Sequence, residues 1–137
     1  GNPTFIFTVE GTDLFGVQHK YQKFVTFTED YVEKNTDGQG YVEASVTFTN
    51  IPMGSDYKVS ELKVLRYGLV AVTGTDNVTI QQIAEPEYGL DPSEIFSVTA
   101  NLKEKATGTT VTFENKKYRW DDYSHNNIVE NVIPVEK

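Results

Sequence analysis

Short segments in which apolar and polar residues alternate recur along most of the chain. Alternation of this kind places every second side chain on the same face of a β-strand, so that one face is apolar and the other is polar. The alternating apolar sets are Phe5, Phe7 and Val9; Val42, Ala44, Val46 and Phe48; Phe96, Val98, Ala100 and Leu102; and Val111 with Phe113. Each set predicts one strand with a buried face.

Other segments extend the β pattern. Residues 21–29 and 78–83 contain many β-branched residues, and the run over 57–72 is long enough for one long strand or for two strands broken near Tyr67 and Gly68. Stretches of polar residues and glycine separate these segments and are typical of turns. Because no segment keeps a helical period, the pattern predicts an antiparallel β-sandwich or barrel.

One short helical segment is expected late in the chain. Asp91 precedes Pro92, and Glu94 lies three residues after Asp91. Proline is favoured at the first helical position, and this spacing of side chains is typical of a helix start. The predicted fold class is therefore all-β, with at most one or two short helical turns, in a single domain over residues 1–137.

Composition and charge exclude several classes of partner. The 137 residues include 20 acidic and 12 basic side chains, which gives a net charge of −8. Nucleic acids and anionic membrane surfaces bind clustered Lys and Arg, so we expect neither as a partner. No apolar run approaches the length of a membrane helix, so membrane insertion is not expected. The chain has no cysteine, which excludes disulfides and thiolate chemistry. It has no signal-peptide pattern, so we expect an excised or mature domain.

Catalytic and metal-binding motifs are absent from the sequence. His19 and His125 are the two histidines, and neither has a partner at metal-binding spacing or a recognisable nucleophile motif nearby. The segment WDDYSHNN at 120–127 offers oxygen ligands without the spacing of a calcium loop. Asn77 begins an Asn-Val-Thr glycosylation sequon. We therefore expect no enzyme activity, no metal and no cofactor.

Two polar residues interrupt the apolar faces. Glu61 lies two residues after Val59, and Asn115 lies two residues after Phe113, so each has the phase of a buried side chain. A buried carboxylate is costly unless it is paired or protonated. Two interpretations stay open: both residues lie at strand ends in solvent, or both point into the core.

The segment VTFTNIPMGSDYKVSEL at 46–62 resembles the signature of the collagen-adhesin B-type repeats, prealbumin-like domains of Gram-positive cell-surface proteins and pilins. The family pattern is Phe-x-Asn-Ile/Leu-Pro, a glycine turn and then Tyr-x-Val-x-Glu. The matching residues are Phe48, Asn50, Ile51, Pro52, Gly54, Tyr57, Val59 and Glu61. FIFTVEGTD at 5–13 is similar to the Phe-rich early strand of the family, and VTFENKK at 111–117 is similar to its closing strand. The resemblance implies a prealbumin-like or immunoglobulin-like sandwich.

Members of this family often carry an isopeptide bond between a lysine and an asparagine. The resemblance implies that Glu61 is the catalytic acid and Asn115 the acceptor of an isopeptide-type pair. The family lysine precedes the Phe-rich strand, and residues 1–8 contain no lysine. Lys137, which lies in a segment similar to a family first strand, is the candidate for the lysine of the bond. Lys23 or Lys58 could take this role only if its side chain pointed inward. We therefore expect no isopeptide bond within residues 1–137.

The resemblance implies a structural or adhesive module, a stalk or spacer, in an extracellular, cell-wall-attached protein anchored through regions outside this chain. Its partners would be neighbouring repeats and a host extracellular-matrix protein or glycan. An alternative is a carbohydrate- or host-protein-binding module that uses Tyr118, Trp120 and Tyr123, although the same aromatic residues could plug one end of the sandwich. Residues 128–137 are expected to be a linker, the start of a next repeat, or a strand that covers a sheet edge left by a missing first strand.

Overall fold

The chain forms two antiparallel β-sheets in a computed structural model that describes residues 2–28, 41–47, 49–103 and 108–118, with the backbone alone for 41–47. The larger sheet has the order β2-β1-β4-β7-β6, and the smaller sheet has the order β3-β8-β5. The strands are β1 (Thr4–Thr12), β2 (Gln18–Thr26), β3 (Tyr41–Thr47), β4 (Tyr57–Glu61), β5 (Tyr67–Gly74), β6 (Val78–Gln82), β7 (Phe96–Ala100) and β8 (Thr110–Lys117).

The all-β prediction is confirmed. Strand accounts for 53% of the structure and helix for 4%, against a helical share of roughly a third in an average globular protein. The helix among the described residues is one turn, α1 (Pro92–Ile95), in which the Glu94 carboxylate accepts a hydrogen bond from the Asp91 N–H at 2.8 Å. This is the turn that the Asp91–Pro92–Glu94 spacing predicted. In the described part of the chain, no helix is long and apolar enough to cross a bilayer.

The core lies between the two sheets and uses the alternating apolar faces. Phe5, Phe7 and Val9 of β1 are all buried, as their alternation predicted. Residues of the smaller sheet complete the same cluster, and the rings of Phe7 and Phe113 lie 5.2 Å apart between the sheets. Burial of such large side chains contributes about 1.5–3 kcal/mol each, so this cluster is what holds the two sheets together.

The run over 57–72 divides into two strands, but the break lies earlier than Tyr67 and Gly68. β4 ends at Glu61 and β5 begins at Tyr67, so the connection occupies residues 62–66. The Tyr67 N–H donates to the Val64 carbonyl at 3.1 Å, and Arg66 has φ 69°. Turns of this kind favour glycine at the position with positive φ, so an arginine there gives no turn signal in the sequence.

In the described structure β4 pairs with β1 over four residues and with β7 over two, and this difference positions Glu61. On one side β4 pairs with β1 from Lys58 to Glu61, opposite Glu10 to Phe7. On the other side its described pairing with β7 covers Tyr57 and Lys58 alone. The end of β4 that carries Glu61 is therefore joined to β1, while α1 and the start of β7 lie beside it. The strand expected near the chain end, and the edge-covering role of residues 128–137, lie outside the described residues.

Candidate functional site

Glu61 and Asn115 face each other from opposite sheets. Glu61 follows buried Tyr57 and Val59 on the inner face of β4, and Asn115 follows Val111 and Phe113 on the inner face of β8. Their side chains are 4% and 2% exposed, respectively. The interpretation that both residues lie in solvent at strand ends is therefore wrong, and the inward phase of both is confirmed.

A short hydrogen bond joins the two side chains. The Asn115 Nδ2 donates to Glu61 Oε1 at 2.7 Å, between residues 54 positions apart in the sequence. Phe7 stands beside Glu61 in the register of β1 with β4, and Leu69 stands beside Asn115 in the register of β5 with β8. The polar pair is thus enclosed by apolar neighbours in both sheets.

Burial sets the protonation state of the carboxyl group. Loss of hydration raises the pKa of Glu61 from 4.5 to about 8, and the hydrogen bond from Asn115 lowers it by a smaller amount. The group is therefore mostly neutral at pH 7. A neutral carboxyl group carries a proton that it can donate, which an ionised carboxylate cannot. If the Asn115 carboxamide turns about its Cβ–Cγ bond, the same short separation lets Glu61 donate that proton to the amide oxygen.

A small cavity adjoins the carboxyl group. Its volume is about 10 Å³, and its lining includes Glu61, Val59, Phe113, Pro92 and Ser93. This is close to the minimum space that one water molecule requires. The cavity lies beside the part of β4 that extends beyond its described pairing with β7, and it adjoins α1 and the start of β7.

None of the described lysines is buried, so none has the inward orientation that a reaction with Asn115 requires. Lys58 alternates with buried Tyr57 and Val59 and is exposed on the opposite face of β4, and Lys23 is exposed on β2. The other described lysines are exposed or partly exposed: Lys20, Lys63, Lys103, Lys116 and Lys117. Lys137 lies outside the described residues, and its role stays a prediction.

Tyr118 is the described member of the predicted aromatic cluster. Its ring is largely buried, lies against the Gly68 backbone, and makes an edge contact with Tyr88 at a centroid distance of 5.1 Å. The Lys116 ammonium lies 5.4 Å from the centre of the same ring. Tyr118 therefore packs as part of the fold. Trp120 and Tyr123 lie outside the described residues, so the binding cluster stays a prediction.

His19 forms a contact that the sequence did not reveal. Its Nε2 lies 2.8 Å from Asp13 Oδ2, and its Nδ1 lies 3.5 Å from the Tyr21 hydroxyl. The hydrogen bond with His19 holds the pKa of Asp13 below its usual value. Over the described residues, no group of three or more metal-ligating side chains comes together. His125 and the segment 120–127 lie outside the described residues.

Asn77, the first residue of the glycosylation sequon, uses its side-chain amide within the protein. Its Nδ2 donates to the Asn101 carbonyl at 3.0 Å and to Thr109 Oγ1 at 2.7 Å, and its Oδ1 accepts from Thr75 Oγ1 at 2.7 Å. A glycan would have to be attached to this same nitrogen. The contacts therefore favour a structural role for Asn77, which joins the β5–β6 turn to the segments before and after residues 104–107.

Comparisons of the chain with protein-family models, with curated proteins and with solved structures give no match.

Proposed function

We propose that this chain is a structural or adhesive module, of the stalk or spacer kind, in a bacterial cell-wall-attached surface protein or pilin. The buried hydrogen bond between Glu61 and Asn115 is the observation that carries the proposal. Replacement of a buried polar pair by apolar residues is often neutral or stabilising, so stability alone does not account for the pair. A reaction that joins Asn115 to a lysine accounts for both residues.

In the proposed reaction a neutral lysine amine attacks Cγ of Asn115. A new C–N bond forms, the Cγ–Nδ2 bond breaks, and the carboxamide nitrogen leaves as ammonia. Glu61, neutral at pH 7 because it is buried, donates its proton to the polarised carboxamide and receives one from the amine. The bond would tie distant chain segments together covalently, which suits a module that has to resist force and proteolysis.

Intact mass spectrometry tests the proposed site. The chain alone is expected to have the mass calculated from its sequence, because no described lysine is buried. The chain is then incubated with a peptide of residues 128–137, which supplies Lys137. An adduct whose mass equals the sum of the two minus one ammonia, attached at Asn115, supports the proposal.

Two matched variants show whether the adduct depends on the site. Glu61→Gln keeps the shape of the side chain and removes the acid, and Asn115→Ala removes the acceptor. Both are expected to give no adduct. An adduct that forms equally in either variant would contradict the proposed chemistry, and so would a wild-type chain that has its full calculated mass and gives no adduct. A chain that is itself lighter by one ammonia would identify one of its own lysines as the nucleophile.

The proposed location has a separate test. Antibodies raised against the chain are expected to label intact cells of the source bacterium, and the protein is expected to remain with the peptidoglycan after extraction in hot detergent. Recovery in the soluble cytoplasmic fraction would refute the surface assignment, whatever the result of the mass experiment.

A further inference from the structure

An exposed apolar loop forms one end of the molecule. Leu14, Phe15 and Val17 lie in or beside the turn between β1 and β2, and Phe15 is 91% exposed. Met53 is also exposed and lies beside them, because the Leu14 N–H donates to the Met53 carbonyl at 2.9 Å. We call these four residues the apolar knob. Exposed apolar groups gathered in this way commonly mark an interaction surface.

Asp13 holds the loop of the knob in one conformation. Its Oδ1 accepts the N–H groups of Phe15 and Val17 at 2.8 and 2.9 Å, and its Oδ2 pairs with His19 at 2.8 Å. Gly16 supplies the positive φ of 83° that closes the turn. A loop ordered in advance loses less conformational entropy when a partner binds, which strengthens the contact that it can make.

A groove occupies the opposite end of the molecule. Its volume is about 510 Å³, and its apolar lining includes Pro3, Val64 and Leu65. Leu65 is 78% exposed at the edge of the groove. The next residue, Arg66, has φ 69° and its carbonyl accepts the Tyr118 N–H at 2.7 Å. A non-glycine residue held at positive φ costs free energy, and such residues are frequent at functional sites.

The two surfaces lie at opposite ends of β1. Thr4, at the start of β1, lines the groove, and Thr12, at its end, precedes the knob. The cations Arg66 and Lys117 line the groove, and no carboxylate is among the described residues of its lining.

Asp56 is the exposed carboxylate beside the knob, three residues after Met53. The Asp13 side chain is 10% exposed, and its oxygens already pair with His19 and accept the N–H groups of the loop. Exposed cations at the same end of the molecule include Lys58, two residues after Asp56, and Lys103, because the preceding Leu102 N–H donates to the Gly54 carbonyl. Asp56 is therefore the carboxylate that complements the cations of the groove.

We propose that the apolar knob of one copy of this chain docks into the groove of a second copy, head to tail. Phe15 would enter the groove beside Leu65, with Asp56 near Arg66 and Lys117 of the next copy. The contact is heterologous, so it leaves one free knob and one free groove and can extend in a line. This inference rests on the proposed stalk function and supplies the partner that stacking in a stalk needs.

Analytical ultracentrifugation of the full chain tests the proposal. The wild type is expected to associate as its concentration rises to about 1 mM, the effective concentration that a short linker gives to neighbouring repeats. Phe15→Ser and Leu65→Ser, each alone, are expected to weaken association by about 30-fold or more, as for a residue at the centre of an interface.

A mixture of the two variants identifies the geometry. Phe15→Ser keeps an intact groove and Leu65→Ser keeps an intact knob, so an equimolar mixture is expected to regain association but to stop at dimers. Phe24→Ser is the matched control, because Phe24 is exposed on β2 and belongs neither to the knob nor to the described lining of the groove. It is expected to associate like the wild type. Circular dichroism checks that all three variants are folded.

Three results would overturn the proposal. A wild-type chain that stays monomeric throughout the concentration range would overturn it. That result would also be obtained if residues 119–137 of the same chain filled the groove. Loss of association in Phe15→Ser together with normal association in Leu65→Ser would indicate a knob-to-knob contact. Equal loss in Phe24→Ser would indicate non-specific aggregation. The mass experiment measures bond formation at Asn115, whereas ultracentrifugation measures association between copies of the chain. The failure of one proposal can therefore be distinguished from the failure of the other.

Discussion

Replacement of Glu61 by glutamine should make the stability of this protein much less sensitive to pH. Glutamine keeps the shape of the side chain and can still hydrogen-bond Asn115, but it cannot ionise. The wild-type carboxyl group has a pKa of 4.5 in the unfolded chain and about 8 in the folded protein, where it is buried. Below pH 4.5 it is neutral in both states and contributes no pH dependence.

The magnitude follows from the difference between the two pKa values. Between pH 4.5 and about 8 the unfolded chain releases the proton while the folded protein keeps it, so stability falls as pH rises. Each pH unit corresponds to about 1.4 kcal/mol, so the free energy of unfolding should fall by roughly 4 kcal/mol between pH 5 and 8 from this group alone. Above about pH 8 the group is ionised in both states and the loss levels off.

Urea unfolding of both proteins from pH 4.5 to 9 measures this effect. The quantity of interest is the free energy of unfolding of Glu61→Gln minus that of the wild type, because other titrating groups cancel in the difference. At pH 5 the two proteins should differ by less than about 1 kcal/mol, since one neutral hydrogen-bonding group replaces another. At pH 8 the variant should be the more stable by several kcal/mol.

Glu61→Ala provides the matched comparison. At pH 5 it should lose about 2–3 kcal/mol, because it leaves a cavity and removes the acceptor of the Asn115 N–H. A stability difference between Glu61→Gln and the wild type that does not change with pH would show that Glu61 ionises in the folded protein as it does in water. Equal and negligible losses in both variants would refute the buried hydrogen bond itself.

Three further perturbations have defined outcomes. Gly68→Ala would place a methyl group into the Tyr118 ring, so thermal unfolding should show a loss of about 1–3 kcal/mol; an unchanged melting temperature would mean that the ring does not pack there. Asn77→Ala removes the donor of the hydrogen bonds to the Asn101 carbonyl and Thr109, so the free energy of unfolding should fall by about 1–2 kcal/mol. When the wild type is expressed in a glycosylating host, mass spectrometry should show no glycan on Asn77. Asp13→Ala removes the acceptor of two loop N–H groups, so hydrogen exchange of the 13–17 loop should accelerate, with the rest of β1 as the internal control; unchanged exchange would contradict the role given to this carboxylate.

The period of a strand predicted the phase of the two site residues but left open whether they lie in the core or in solvent at strand ends. Glu61 continues the inward set of Tyr57 and Val59, and a period of two gives its direction as soon as the strand is recognised. Asn115 continues the inward set of Val111 and Phe113 for the same reason. Periodicity alone could not pair the two residues, because they lie on strands of different sheets; the family resemblance supplied that expectation.

The alternation of apolar and polar residues gave no signal for two features of the structure, the turn between β4 and β5 and the contact between Asp13 and His19. The turn between β4 and β5 contains Leu62, Val64 and Leu65, so it reads as continued strand, and Arg66 adopts the positive φ that a glycine would have indicated. The Asp13–His19 contact depends on the register of β1 with β2, in which Thr12 stands opposite Gln18. β2 begins at Gln18, earlier than the predicted residue 21, because pairing with β1 extends it through polar residues.

The position of β8 has a consequence for the order in which the protein folds. β8 lies between β3 and β5, yet it follows every other described strand in the chain. Synthesis delivers the N-terminal segments first, so β3 and β5 have no described neighbour in their sheet until β8 arrives. Until then Glu61 lacks Asn115 and remains in water, where a carboxyl group with a pKa near 4.5 is ionised at neutral pH. Insertion of the central strand should therefore draw one proton from solution, and the refolding of this protein should be slower at alkaline than at mildly acidic pH.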